Sequence, residues 1–254
     1  MRSMKIALQL LLSFVFYIFG FISILILGGL YILLTILIPP KYLQWYIRPG
    51  CRIILLCAGQ WLKIEGQAPD LKKGPYLYLI NHESMFDMFM MGAAIPEYFG
   101  ILVAEYHFRI PFWKWIAKRY GGIPIERKNL AEAKKSLLQA ENVIKQLKRS
   151  VAMFPEGTRT KDGKLQQFKK GPFHLAKNTG VTLIPCGIDG AFEAQNKVSW
   201  LLNPGLLTWR WGEPIPLKTH ITAGYGHLTV EEIADWVRTQ VGLLTGEFEP
   251  YAEF

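Results

Sequence analysis

The chain has 254 residues, half of them hydrophobic, with 29 Lys and Arg against 20 Asp and Glu, a formal net charge of +9. That length supports one substantial core with at most a small appendage, and the three scattered cysteines, Cys51, Cys57 and Cys186, show neither a disulfide framework nor zinc-ligand spacing. A basic excess beside a long apolar segment points to anionic lipid or an acidic substrate and away from nucleic acid.

The first element is that apolar segment. No Asp, Glu, Lys or Arg occurs between Lys5 and Lys41. A secretory signal has a much shorter apolar core, whereas this run continues to Pro39-Pro40, so it is read as a retained membrane segment. One helical crossing needs roughly 20 apolar residues, and Ile6 to Ile38 exceeds that. A long tilted helix fits, as does a chain that bends near Gly20 or Gly28-Gly29 and returns. Arg2 and Lys5 flank one end and Lys41, Arg48 and Arg52 the other. Basic residues on both flanks favour the return, a monotopic hairpin with everything else on the cytosolic face. Residues 42–62 are rich in aromatics and suit the interface. The expected division is an anchor and interfacial segment over 1–58 and one catalytic-size domain over 59–254.

That domain alternates. "YLYLI" (76–80), "FGILVA" (99–104), "VAMF" (151–154) and "TLIP" (182–185) are apolar runs of strand length. Residues 129–150 place Leu130, Ala133, Leu137, Ile144 and Leu147 at helical spacing among charges, which predicts an amphipathic helix on a sheet. Thr229 and Glu232 stand in capping-box spacing before a closing helix. The expected fold is therefore α/β, a mostly parallel sheet flanked by helices behind an N-terminal membrane-embedded helical segment.

In such sheets ligands bind beyond the carboxyl ends of strands, and three polar clusters fall there. "NHESMFD" (81–87) follows "YLYLI" directly, with a helix expected over Ser84 to Met91. Four residues separate His82 from Asp87, so the carboxylate can fix one imidazole nitrogen and leave the other as a general base. No enzyme nucleophile is then required if the acceptor is an alcohol, and Ser84, which nothing else marks as a nucleophile, is read as a helix-start residue. "FPEGTRTKDGKLQQFKKG" (154–171) places Glu156, Gly157, Thr158 and Arg159 in a turn. Gly157 allows close backbone approach there, and Arg159 presents a planar fork for phosphate or carboxylate. "GGIPIERK" (121–128) adds Arg127, a second arginine at another strand end.

These strings, with "LIPCGI", resemble the glycerolipid acyltransferase family, in particular the membrane-bound 1-acyl-sn-glycerol-3-phosphate (lysophosphatidic acid) acyltransferases, over about residues 60 to 215. The resemblance implies a glycerol-3-phosphate acyltransferase-like fold. It makes His82 the general base and Asp87 its orienting partner, and puts Glu156, Gly157, Thr158 and Arg159 at the acceptor. It assigns Arg127 to phosphate and Ile184-Pro185 to the acyl-donor region. It implies acyl-CoA or acyl carrier protein as donor substrate, a lysophospholipid acceptor, membrane lipids as partners, no metal or other cofactor, and the cytoplasmic face of the inner (plasma) membrane. The chain departs from the pattern before Ile110-Pro111, where "VAEYHFR" puts Ala104 and Glu105 near the place of a common lysine. That departure keeps other lysophospholipids, or lyso-ornithine lipid, as acceptors in view, with Arg109, Lys114 or Lys118 as substitutes for the lysine. A third alternative is hydrolysis of a thioester or lipid ester by the same His/Asp pair.

Overall fold

The computed structural model of the chain describes residues 2–126, 129–217 and 228–248; the side chains of residues 2–5 and 130 lie outside that description. Its strands are β1 (Gln60–Glu65), β2 (Tyr76–Ile80), β3 (Gly100–Ala104), β4 (Gly122–Ile125), β5 (Val151–Met153), β6 (Thr182–Asp189) and β7 (Gly205–Trp211). They form one sheet in the order β1-β7-β6-β2-β5-β3-β4. From β6 to β4 every pairing is parallel. β7 runs antiparallel to β6 and carries β1 parallel to itself, so the sheet is mixed at that edge.

The helices are α1 (Arg2–Leu37), α2 (Gln44–Cys57), α3 (Asp87–Ala94), α4 (Pro111–Tyr120), α5 (Leu130–Lys145), α6 (Gly171–Thr179), α7 (Ala191–Ala194) and α8 (Val230–Thr245). β2 is buried at all five positions because both its faces are covered. Tyr76, Tyr78 and Ile80 join a core with residues of α2 and α3, while Leu77 and Leu79 join another with residues of α5, α6 and α8. α2 and α3 thus pack on one face of the sheet and α5, α6 and α8 on the other. α8 opens on the capping box expected of Thr229 and Glu232.

α1 is one unbroken helix of 36 residues, about 54 Å long at 1.5 Å per residue. The bend expected near Gly20 or Gly28-Gly29 does not occur. Gly20 and Gly28 serve close approach instead: a Cβ on Gly28 would stand 2.7 Å from Phe112 Cζ and 2.9 Å from Ile116 Cδ1 of α4, and one on Gly20 3.4 Å from Ala58 Cβ. The chain reverses later, through Pro39-Pro40 and a short 3-10 turn, and α2 packs back on α1. Contacts hold α1 to the domain along its length. Ser13 Oγ accepts from Leu202 N at 2.9 Å, Tyr17 OH donates to Trp200 O at 2.7 Å, and Arg119 Nη1 donates to Thr35 O at 3.1 Å. Its other side leaves large apolar residues in the open, among them Phe14, Phe21, Ile26 and Ile36, and Ile6–Leu37 is long and apolar enough to cross a membrane. An apolar surface of that extent belongs against lipid, and the protein is membrane-associated.

Candidate functional site

β2 delivers Asn81 and His82 to the carboxyl edge of the sheet, beside the ends of β5 and β6. Asn81 ties β2 to β6: its Oδ1 accepts from Ile188 N at 2.6 Å and its Nδ2 donates to Ile188 O at 2.8 Å. The next residues make a turn, and α3 begins at Asp87 rather than at the expected Ser84. The reason is Asp87 itself, whose Oδ2 accepts from the backbone N–H groups of Glu83 at 2.7 Å and Ser84 at 3.0 Å and so closes the turn into the helix start.

The same Oδ2 lies 2.7 Å from His82 Nδ1. A carboxylate opposite Nδ1 fixes the proton there and leaves the Nε2 lone pair available. Asp87 is fully buried, and its Oδ1 has no hydrogen-bond partner among the described residues. The imidazole also stacks on Phe154, with ring centroids 4.0 Å apart, which sets its plane. Ser84 Oγ donates to Gln195 O at 2.7 Å and is buried, so it serves the turn.

Glu156 supports this pair from below. Its Oε1 accepts from His82 N at 2.7 Å and its Oε2 from Gln166 N at 3.1 Å, at 2% exposure. Both oxygens thus accept from backbone N–H groups, and the bond to His82 N helps to position the histidine. Burial pushes its carboxyl up to about 7 against the pull of those two donors. Glu83, beside it, is pushed to about 9 by burial and by the charge of Asp87. Both line a polar cleft of about 280 Å³ next to His82, with Thr160, Asp189 and Glu247.

Gly157 has φ 75°, the left-handed conformation that its position in the turn requires. The turn then presents Thr158, whose Oγ1 accepts from Lys197 Nζ at 2.9 Å, and Arg159, half-buried and close enough to α1 for its charge to act on the Tyr17 phenol. Arg159 makes no ion pair among the described residues. Two cations, Arg159 and Lys197, therefore stand at the helix α1 side of His82. Nothing in the surrounding "EAQNKVSW" marks Lys197, which only the fold brings to Thr158. Arg127, with Lys128, lies outside the described residues. Arg109 ends a 3-10 turn after β3, and Lys114 and Lys118 sit on α4; none of the three lines the cleft beside His82. Ile184 and Pro185 lie inside β6, Ile184 in the core, and neither lines a described cavity.

A second, apolar cavity of about 180 Å³ lies between α1, α2, α3 and α4, lined by Leu27, Ile54, Phe89 and Trp113 among others. Among the described residues no cluster of three or more His, Cys, Asp or Glu has the geometry to hold a metal ion.

Comparison with known proteins gives this geometry a context. The family model described as Acyltransferase matches residues 62–189, which include β2, the His82–Asp87 turn and the Glu156–Arg159 turn. A protein of Saccharomyces cerevisiae named 1-acyl-sn-glycerol-3-phosphate acyltransferase is 27% identical over 238 residues, covering 90% of this chain and 77% of its own length. A Salmonella typhimurium protein of the same name is 32% identical over 177 residues, 68% of this chain and 69% of its own. The crystal structure of the 1-acyl-sn-glycerophosphate acyltransferase of Thermotoga maritima superposes with a TM-score of 0.77, covering 100% of this chain and 99% of that one. At 23% identity that likeness concerns the fold.

Proposed function

The chain belongs to the Acyltransferase family, and we propose that it transfers a fatty acyl group from an acyl thioester to the free hydroxyl of 1-acyl-sn-glycerol 3-phosphate, giving phosphatidic acid. The observation that carries this reading is the His82–Asp87 pair, with Nδ1 held at 2.7 Å and Nε2 left for a substrate, beside an arginine that has no carboxylate partner among the described residues.

His82 Nε2 takes the proton of the acceptor hydroxyl as its oxygen attacks the thioester carbonyl carbon. Asp87 stabilises the imidazolium that forms. The tetrahedral intermediate then collapses with cleavage of the carbon–sulfur bond, and the departing thiolate recovers the proton from His82. Arg159 and Lys197 hold the acceptor phosphate, an anion suited to a guanidinium fork with a second cation beside it. They stand on the α1 side, so the acceptor arrives from the membrane. The apolar cavity between α1 and α4 takes a fatty chain. This chemistry uses no metal.

The apolar outer sides of α1 and α2 rest in one leaflet, with the domain on the cytosolic face of the plasma membrane, and α1 lies along the domain rather than leaving it. The exposed Trp45, Trp61 and Trp200 mark the level of the headgroups. The test is acyl transfer by purified protein from labelled oleoyl-CoA to a panel of lysophosphatidic acid, lysophosphatidylethanolamine, lysophosphatidylglycerol and lyso-ornithine lipid. Preference for lysophosphatidic acid, reduced about tenfold in KM terms by Lys197→Ala, supports the reading. Preference for a zwitterionic acceptor contradicts it, and fatty acid released equally without any acceptor would identify a hydrolase.

A further inference from the structure

His82 has a second neighbour besides the polar cleft. Phe154, whose ring stacks on the imidazole, also lines a groove of about 800 Å³ between α5 and α6. The groove lies on the face of the sheet away from α1. Leu102 of β3 lines it, whereas the flanking Ile101 and Val103 line the apolar cavity on the opposite face. Its walls are apolar, including Leu137, Met153 and Leu175, and Gly171 lets α6 approach α5 so closely that a Cβ there would stand 3.0 Å from Leu137 Cδ1.

Its rim is cationic. Lys134, Lys169 and Lys170 line it. Lys170 is paired with Glu231, and Glu141, which also lines the groove, is paired with Lys145. Lys134 and Lys169 make no ion pair among the described residues. The Lys169 stem passes over Gly157, with Cγ 3.6 Å from where a Cβ would be, so this charge stands at the edge of the turn that supports His82.

Resting on the acyl-transfer reading above, we propose that this groove is the donor site and that its occupant is coenzyme A: the pantetheine arm lies along the apolar walls, its thioester end reaches past Phe154 to His82, and the nucleotide phosphates meet Lys134 and Lys169. The groove has the volume of a small-molecule site. An apolar trough rimmed by unpaired ammonium groups fits a ligand with an uncharged arm and several phosphates. Coenzyme A bears a pyrophosphate and a ribose phosphate, enough to meet both lysines, whereas the arm of a carrier protein bears a single phosphodiester. The arrangement brings donor and acceptor to His82 from opposite faces of the sheet, so neither blocks the other.

Two measurements on the full chain test it. In steady-state transfer, Lys134→Glu combined with Lys169→Gln raises KM for oleoyl-CoA about tenfold or more and leaves KM for lysophosphatidic acid unchanged. With oleoyl-N-acetylcysteamine, a donor without phosphates, the same variant matches the parent. By calorimetric titration, unacylated coenzyme A binds the His82→Ala protein, and adding the two lysine substitutions removes that binding. Because the titration needs no acyl transfer, it separates failure of the donor site from failure of the proposed reaction. An unchanged KM for oleoyl-CoA, a rise in KM for the acceptor instead, or turnover confined to carrier-protein thioesters would overturn the assignment.

Discussion

One oxygen of Asp87 accepts from His82 Nδ1 and from two backbone N–H groups, while the other is buried without a partner among the described residues. The carboxylate therefore has two tasks, closing the turn before α3 and holding the imidazole. Asp87→Asn keeps the shape but removes the charge that balances the imidazolium, so kcat falls by roughly 10²- to 10⁴-fold with little change in KM for either substrate. An equal rise in KM would show that Asp87 acts on binding instead. Glu83 sets a different signal. Its carboxyl moves from 4.5 to about 9, so the folded chain keeps a proton that the unfolded chain releases. Stability is then full below the unfolded value and is lost as pH rises towards the folded one, by up to about 1.4 kcal/mol per pH unit. Denaturant unfolding from pH 5 to 9 should show this decline, and Glu83→Gln should remove the part above pH 7, below which the raised Glu156 carboxyl also contributes; an unchanged slope above pH 7 in the variant would assign the decline elsewhere. At this scale the spacing of His82 and Asp87 allowed their pairing without showing it; the turn that Asp87 closes is what brings the two side chains together. The bond from His82 N to Glu156 was not legible, since it depends on a parallel neighbour 74 residues away, nor was Lys197, which a loop 39 residues on carries back to Thr158.

At the scale of elements, periodicity was informative where an element has two different sides. α5 and α8 alternate apolar and charged positions and fell close to where that pattern put them. α1 has apolar residues all round, so nothing in its pattern shows which stripe meets the domain, and Gly20 and Gly28 read as hinges when they are contact points. The direction of β7 was not legible either, since an antiparallel strand and a parallel one differ in their connections rather than in their residues. Helix contacts made through glycine predict their own sensitivity. A Cβ on Gly92 of α3 would stand 2.7 Å from Cys51 Sγ of α2. Gly92→Val should destabilise the fold by about 1–3 kcal/mol through overpacking, seen as a lower thermal midpoint with secondary structure retained. A midpoint equal to the parent's would mean that α2 and α3 separate freely.

The two faces of the sheet carry different helices, and the proposed function puts one of them towards lipid. α1, α2 and the tryptophans around them present large apolar residues, and α5 and α8 carry exposed ion pairs such as Lys135–Glu132 and Lys170–Glu231. Replacing Phe14, Phe21 and Ile26 together by Asp should abolish co-flotation with anionic vesicles while leaving the circular dichroism spectrum unchanged, since those side chains are more than half exposed. Retained flotation would move the membrane contact to another surface. The central claim, that His82 activates the hydroxyl of a lysolipid held at that surface, has a direct test in the formation of phosphatidic acid from oleoyl-CoA and lysophosphatidic acid in vesicles by the parent and by His82→Ala. The account predicts that the variant binds the vesicles as the parent does and loses at least about 10²-fold in turnover. Turnover near the parent's would contradict it.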